Sequence, residues 1–485
     1  MKRIDVAVSR PSFLRSVMPI AFLLLSLVSL IIFKGASSIG DYSPFILLCA
    51  AALALLLSPL SVRDGRAELL KGMHTSARQI LPAVPILIFI ALLSTTWMLG
   101  GIVPTFIHYG LQVLEPRFFL VSVCAVCGCI SIFTGSSWTT IATIGVAFMG
   151  IGSVMGYEAP WIAGAVISGA YFGDKVSPLS DTTVVASSSC GVDLFTHIRY
   201  MMFTTVPSMV VSLAVFLIAG LVKNPSGAEL GQSGIVNSLN EVFVVTPLAM
   251  IVPIITVVMI AARINTIVTL ATSAVLGIVS MVILQPSIPF DIRFIESLWG
   301  GAVFDTPDAG FNDLVSTSGL LGMMPTVLLV LSAMLFGGVM IGTGMLGTIS
   351  GALTSRLRNR GAIIGTTVGS GLLLNSFTAD QYLSLIIGAN TFRDAYVRKG
   401  YEPKLLSRTL EDSISVTSVL VPWNSCGLTQ SAVLGVPTIM YLPYCVFNYL
   451  SPMMSIAISV GVLGLRNGIK RGWLGFGRSL SGGRV

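Results

Sequence analysis

The chain has 485 residues, of which 54% are hydrophobic and only 10% charged, with a formal net charge of +7. A soluble globular domain carries about 25% charged residues, so a water-exposed fold is excluded for most of this length. The positive surplus does not read as a nucleic-acid surface, because it is dispersed in short clusters between long apolar runs.

Taken in chain order, residues 17–33, 80–99, 243–262, 265–284 and 320–341 contain no Asp, Glu, Lys or Arg. Each approaches the roughly 20 residues that a helix needs to cross a bilayer core. A further crossing is expected at 43–60. The first run follows Lys2, Arg3, Arg10 and Arg15 with no small-residue cleavage site and polar domain after it, so it is expected to remain as a span. Cys124, Cys127 and Cys129 sit inside an apolar stretch and read as small packing residues rather than metal ligands. The other four cysteines are scattered and suggest no disulfide framework.

Charge assigns sides. Basic residues gather in the N-terminal tail, in 63–78, at Arg356, Arg358 and Arg360, in 393–408 and in the tail from Arg466. The stretch 285–320 is acidic, with Asp291, Glu296, Asp305, Asp308 and Asp313 against Arg293. The positive-inside rule places the basic segments, 63–78 among them as a loop, in the cytoplasm and the acidic loop outside. Both tails are then cytoplasmic.

The segment after Arg360 cannot be two full crossings. It leaves and returns to basic sequence within about 32 residues, where two spans need about 40, and FTADQY (377–382) interrupts it. A re-entrant hairpin with its tip at 377–382 fits this length, and broken backbone at membrane depth is tolerated where it lines a protein cavity. FTGSSW (133–138) precedes FTADQY by 244 residues, and SPLSDTT (177–183) precedes VPWNSCG (421–427) by the same interval. The span 80–99 falls on 320–341 to within a few residues. Side assignment gives the two copies opposite topology. The sequence thus predicts an all-α integral membrane protein of about ten spans plus two re-entrant hairpins, an inverted-topology repeat whose broken helices meet at mid-membrane, as in many secondary transporters. The expected division is a basic tail 1–16, a first membrane half 17–242, a second half 243–465 and a basic tail 466–485.

Few carboxylates fall at membrane depth, where a charge costs several kcal/mol and marks a functional candidate. They are Asp174 and Asp181 in GDKVSPLSDTT, Asp380 in FTADQY, and Glu411 and Asp412 where the second broken segment starts. Asp174 and Lys175 also fit a structural pair at a loop edge. Asp181 lies between Pro178 and Thr182, where hydroxyls and freed carbonyls suit a hard cation such as Na+. At the 244-residue interval Asp181 falls on Ser425 and Asp380 on Ser136. Each tip is expected to meet its own broken helix, giving each half one carboxylate amid the oxygens of Thr134, Ser136 and Ser137, or of Thr378, Asn424 and Ser425. Na+ and H+ are expected to compete at Asp181 or Asp380.

Other residues carry less. His74 and His108 read as solvated or interfacial, and His197 as a pH-sensing candidate. Trp138, Tyr382 and Trp423 read as packing or cavity walls. The glycines of 337–351 permit close helix packing and lack the context of a phosphate loop.

SGAYFGDKVSPLSDTT (168–183) resembles the signature of the NhaC-type sodium/proton antiporter family, and LEDSISVTSVLVPWNSCG (410–427) resembles its second signature, with Ile414–Ser415 and Val419 departing from it. The resemblance spans roughly residues 15–465. It implies Na+/H+ exchange across a bacterial cytoplasmic membrane, driven by an existing gradient, and points to Asp174, Ser177, Asp181, Thr182, Glu411, Asp412, Trp423 and Asn424. The family also includes exchangers of malate and lactate and some amino-acid carriers, so a coupled carrier of a small organic acid or amino acid is the alternative, with Lys175 and Asn424 as partners for its carboxylate. No enzyme motif such as HExxH, no organic cofactor and no nucleic-acid partner is expected. A homodimer in the lipid bilayer is expected by analogy with related architectures.

Overall fold

The computed structural model describes residues 11–35, 39–58, 65–81, 83–223, 237–262, 264–307, 309–354 and 360–458. The basic tail from Arg466 and Arg356 and Arg358 lie outside the described residues. Among those described, every regular element is helical. In chain order they are α1 (Phe13–Lys34), α2 (Ile39–Leu57), α3 (Gly65–Ile80), α4 (Ala83–Leu99), α5 (Ile102–Val113), α6 (Phe119–Thr134) and α7 (Ser137–Val154). Then follow α8 (Ala159–Val176), α9 (Asp181–Cys190), α10 (Leu194–Lys223), α11 (Ile251–Ala261), α12 (Thr266–Leu284), α13 (Ile292–Gly300) and α14 (Ala309–Val315). The chain continues through α15 (Gly319–Gly342), α16 (Met345–Thr354), α17 (Arg360–Thr378), α18 (Gln381–Arg398), α19 (Pro403–Leu410), α20 (Ser425–Leu434) and α21 (Val446–Ile458).

Among the described residues, six helices are long and apolar enough to cross a membrane, and the pair Val84–Leu99 and Ile102–Val113, bent by 68°, makes a seventh if counted as one span. Their outward faces remain apolar, with Phe33, Phe133, Val222 and Ile283 among many exposed side chains, as lipid-facing surface requires. This is an integral membrane protein. The run 243–262 departs from expectation: Pro247 opens a 3-10 turn, leaving only Ile251–Ala261 as α-helix. The acidic stretch 285–320 is not plain loop either, since α13 and α14 lie within it.

The basic stretch 63–78 was expected as a loop and is largely helix α3, packed along α15. Its charges (Arg66, Lys71, Arg78) alternate with Leu69, Gly72, Met73 and Ser76 at helical spacing, so one face is small enough to meet another helix. A methyl group on Gly72 would lie 2.4 Å from the Gly342 nitrogen, and one on Gly338 would lie 2.8 Å from the Met73 Cα. Ser76 Oγ donates to the Met334 carbonyl at 2.8 Å. Charge argued for a loop, but small residues at this spacing let two backbones touch.

Several local features recur 244 residues later. Gly156-Tyr157-Glu158 and Gly400-Tyr401-Glu402 both end one helix and start the next. Both glycines take positive φ (84° and 68°), and both glutamates stand before a Pro-containing first turn. The Tyr157 and Tyr401 amides donate to Gly152 and Tyr396, again at equal interval, at 2.9 and 3.0 Å. Helices α9 and α20 are each ten residues long and end in a left-handed glycine, Gly191 and Gly435.

The packing of these matching elements is crossed. Helix α9 lies against α18, and α20 lies against α7. Arg393 of α18 donates to the Ser189 carbonyl in the last turn of α9, where a cation complements the helix end.

The α3–α15 contact can be tested. Gly72→Val is expected to destabilise the protein by about 1–3 kcal/mol, the usual effect of overpacking. A lowered midpoint of thermal unfolding in detergent is the readout.

Candidate functional site

The site begins with two helices that stop short. Helix α6 ends at Thr134, and Gly135 (φ 66°) turns the chain into α7. Helix α17 ends at Thr378, and Ala379 (φ 55°) turns it into α18; it is the one non-glycine residue with positive φ among those described. Backbone groups freed at such a break must be satisfied inside the protein, and the same device does this twice. Thr134 Oγ1 meets the Ser136 amide and carbonyl at 3.4 Å each and the Thr140 hydroxyl at 3.1 Å. Thr378 Oγ1 meets the Asp380 amide and carbonyl at 3.1 and 2.7 Å and the Ser384 hydroxyl at 2.7 Å. Ser136 Oγ then accepts from the Thr139 amide (3.3 Å) and Asp380 Oδ1 from the Leu383 amide (2.9 Å), each capping the helix it precedes.

The two broken segments face these turns. Helix α8 stops at Val176 and α9 starts at Asp181, with Ser180 as its cap. Helix α19 passes into a π-helical turn at Glu411–Ser415, and α20 starts at Ser425 with Asn424 as its cap. Ser131 Oγ donates to the Ala170 carbonyl (2.6 Å) and Asn375 Nδ2 to Ile414 (2.7 Å), tying each turn to its own segment at matching positions. The Ser137 amide and hydroxyl donate to Asp174 Oδ2 at 3.1 and 2.6 Å. The matching pair is Ser418 Oγ and Gln381 Oε1, 3.3 Å apart. Ser425 Oγ donates to Asp380 Oδ2 at 3.2 Å, and its amide donates to the Ala379 carbonyl at 2.8 Å.

These elements enclose one cavity of about 160 Å³, lined by Ser136, Asp174, Asp181, Thr182, Asp380 and Ser425 together with Ile86, Gly135, Trp138, Thr266, Gln381 and Tyr382. Two hydroxyl-rich sites with one carboxylate each were expected. The structure instead gathers three carboxylates around one space. The first turn is bonded to Asp174 and not to Asp181, because Asp174 stands on the α8 face that α7 covers. Asp181 lines the cavity from the first turn of α9. Four helix N-termini (α7, α9, α18 and α20) converge there. Asp380 caps one, Asp174 accepts from the first residue of another, and Asp181 occupies the first turn of a third. Negative groups at helix N-termini are stabilised by the aligned peptide dipoles.

The remaining expected residues have other places. Ser177 Oγ donates to the Ile132 carbonyl at 2.7 Å, holding the break rather than lining the cavity. Thr134 and Thr378 are the clamps described above. Asn424 accepts from the Cys426 amide (3.1 Å) and donates to the Asn375 carbonyl (3.0 Å). Trp423 Nε1 donates to the Ser376 carbonyl at 2.8 Å. Lys175 does not pair with Asp174: it forms a buried ion pair with Asp412, joined by Ser451 Oγ (2.7 Å from Nζ) and Thr204 Oγ1 (3.1 Å from Asp412). Glu411 and Asp412 are wholly buried outside the cavity lining. His197 is buried too, with Nδ1 2.9 Å from Ser407 Oγ. Sequence reasoning missed Gln381, Ser418 and Thr266. The first two lie 244 residues after Ser137 and Asp174, so the repeat held the signal.

Two further hollows follow. One of about 600 Å³ is lined by Ser94, Met98, Ser153, Thr317 and Gly435 among others, and one of about 40 Å³ by Ile90, Ala142, Met323 and Val433 among others. Along α4, Ile86, Ile90 and Ser94 mark the three spaces one helical turn apart.

Comparison with known proteins places this arrangement. A model of the Na+/H+ antiporter family matches residues 11–188 and 169–465. The Na+/H+ antiporter NhaC of Alkalihalophilus pseudofirmus is 37% identical over 83% of this chain and 87% of its own length. NhaC of Bacillus subtilis is 34% identical over 80% and 86%. A malate-2H+/Na+-lactate antiporter of Bacillus subtilis is 33% identical over 79% and 81%.

The strained turn at Ala379 can be tested. A left-handed conformation costs a non-glycine residue roughly 1–2 kcal/mol. Ala379→Gly is therefore expected to leave thermal stability unchanged or raised, whereas Ala379→Val is expected to lower it and to weaken exchange.

Proposed function

The chain belongs to the Na+/H+ antiporter family, and on that premise we propose that the cavity is its cation site, where Asp380, Asp181 and Asp174 bind Na+ and H+ in competition. The transported ions are Na+ and H+, the chain is a transporter and not an enzyme, and Na+ enters as cargo rather than as a cofactor.

One observation carries the reading. Every charged residue lining the cavity is a carboxylate, so the space attracts cations and repels anions. Na+ favours hard oxygen donors, and the carboxylates stand beside the hydroxyls of Ser136, Thr182 and Ser425. A carboxylate in a confined site holds one positive charge well and two poorly. A proton arriving at Asp380 therefore displaces the ion, and the ion displaces the proton. Helix dipoles and the bonds from Leu383 and Ser425 offset the burial of the negative charge.

The alternative cargo is a small organic acid, since one relative exchanges malate and lactate by name. A carboxylate solute needs a cationic partner in the site. Lys175, the candidate for that part, is committed to Asp412 and Ser451, which favours the inorganic cation.

We further infer an inverted repeat in a bacterial cytoplasmic membrane, with both tails inside. On that orientation Ile86 and Thr266, at the starts of α4 and α12, bring the cavity toward the cytoplasmic side, and the 600 Å³ hollow faces outward. The layer at Ile90, Ala142, Met323 and Val433 separates them and is the barrier that alternating access has to open.

The test is exchange in proteoliposomes containing a pH-sensitive dye, challenged with NaCl, KCl, sodium malate or choline chloride. NaCl is expected to dissipate the proton gradient above the choline control, with no gain from malate. Asp380→Asn and Asp181→Asn are expected to lower Na+/H+ exchange roughly ten- to a hundredfold, the loss of about 1.5–3 kcal/mol of charged contact. As pH falls, the apparent KM for Na+ is expected to rise while the maximal rate holds. Retained exchange in both variants, or a response to malate alone, would make the cavity a different site.

A further inference from the structure

Helix α3 carries a charged face that the exchange scheme above leaves unused. Arg66, Lys71, His74 and Arg78 are all exposed, and Leu70, 65% exposed, stands among them. Arg66, Leu70, His74 and Arg78 recur every fourth residue and so form one row along the helix, with Lys71 beside it. Among the described residues none of these basic side chains forms an ion pair. Glu68, the acidic residue of α3, lies at the edge of this face and is unpaired as well.

The opposite face fixes where the row points. Leu69, Gly72, Met73 and Ser76 are turned to α15. A methyl group on Gly342 would lie 2.7 Å from the Leu69 Cα, and one on Gly338 would lie 2.8 Å from the Met73 Cα. Contacts four residues apart on both helices, in opposite order, lay α3 antiparallel along the last turns of α15. At about 100° per residue, the basic row falls on the side of α3 away from α15.

Depth follows from the same contacts. Helix α15 has 24 residues, roughly 36 Å against a bilayer core of about 30 Å, so its Gly342 end emerges among the headgroups. Arg66 lies just beyond that level, and Arg78 lies roughly 13 Å further in than Leu69 along the helix. An unpaired guanidinium at that depth is costly, and its apolar stem lets the charged head reach back to the surface. The surface around the row is apolar: Leu55 and Leu56 at the end of α2 and Leu81 just after α3 are exposed. Apolar side chains beside unpaired cations fit the boundary between acyl chains and charged headgroups.

We propose that this face of α3 binds anionic phospholipid, with Arg66, Lys71 and Arg78 on the headgroup phosphates and Leu70 against the acyl chains. Each Lys or Arg held near an anionic bilayer surface strengthens the association roughly fivefold. This binding is independent of what the cavity carries. On the orientation inferred above, the leaflet is the cytoplasmic one.

The experiment titrates the purified full-length protein in a neutral detergent with fluorescent phosphatidylglycerol, and separately with phosphatidylcholine carrying the same label. Phosphatidylglycerol is expected to bind at the lower mole fraction. Arg66→Gln, Lys71→Gln and Arg78→Gln are each expected to weaken it about fivefold, and the triple variant to bind both lipids alike. Arg66→Lys and Arg78→Lys keep the charge and are expected to keep the preference. Inorganic phosphate at matched ionic strength is expected to leave the lipid bound. Equal binding of the two lipids by the unmodified chain, or a preference that survives in the triple variant, overturns the proposal. So does displacement by inorganic phosphate, which makes the face a free-anion site. A cross-link between two copies through Lys71 that persists in excess lipid overturns it too, giving the face to a second chain. Should the triple variant fail to fold, the single ones decide: unweakened binding in every folded variant overturns the proposal. Detergent micelles have no sides and the assay measures no exchange, so failure of the orientation or of the cation site leaves this result untouched.

Discussion

A helix that stops partway across a membrane leaves amides and carbonyls with no water to receive them, and this constraint shapes the rest of the molecule. Each freed group needs a partner from the protein itself. Thr134 and Thr378 supply it locally, each gripping the amide and carbonyl two residues ahead and the hydroxyl six residues ahead. Once the turns are held, the helices after them start at a fixed depth. The broken segments are held by the Ser131–Ala170 and Asn375–Ile414 bonds. Four helix N-termini then converge on one space, and the carboxylates at three of them follow from the electrostatics of that convergence.

The buried charges fall into two groups. The cavity group is acidic and lined by water-sized space. The buried group joins Lys175 and Arg408 to the two oxygens of Asp412. Adjacent residues at the end of α8 belong one to each group, because consecutive side chains on a helix diverge by about 100°.

Much of this was legible in the sequence. The absence of charge over span-length runs gave the membrane class. FTADQY between basic segments gave the second turn at residues 377–382, and the structure breaks the helix at Ala379–Asp380. The shared interval gave the first turn and both broken segments. The Gly-Tyr-Glu repeat went unread because it lies between apolar runs, where a polar triplet looks like ordinary loop. Helix α3 was misread because charge was weighed above the small-residue spacing of Gly72 and Ser76. The partner of the first turn was misassigned because Asp174 and Asp181 lie on opposite sides of a break. Which of them faces α7 depends on the direction α8 takes, a property of packing rather than of local sequence. The crossed contacts of α9 with α18 and of α20 with α7 had no sequence signal that could be read from one chain.

Those crossed contacts bear on how the protein is made. The ribosome delivers α8, the break and α9 early, yet α18, which packs against α9, lies some two hundred residues downstream. Until α18 arrives, α9 stands without one of its final neighbours in the bilayer. Assembly of the cavity is consequently a late event of biogenesis. The stretches 131–190 and 375–434 are alike in local form, and the cavity is lined from both, so neither encloses it alone.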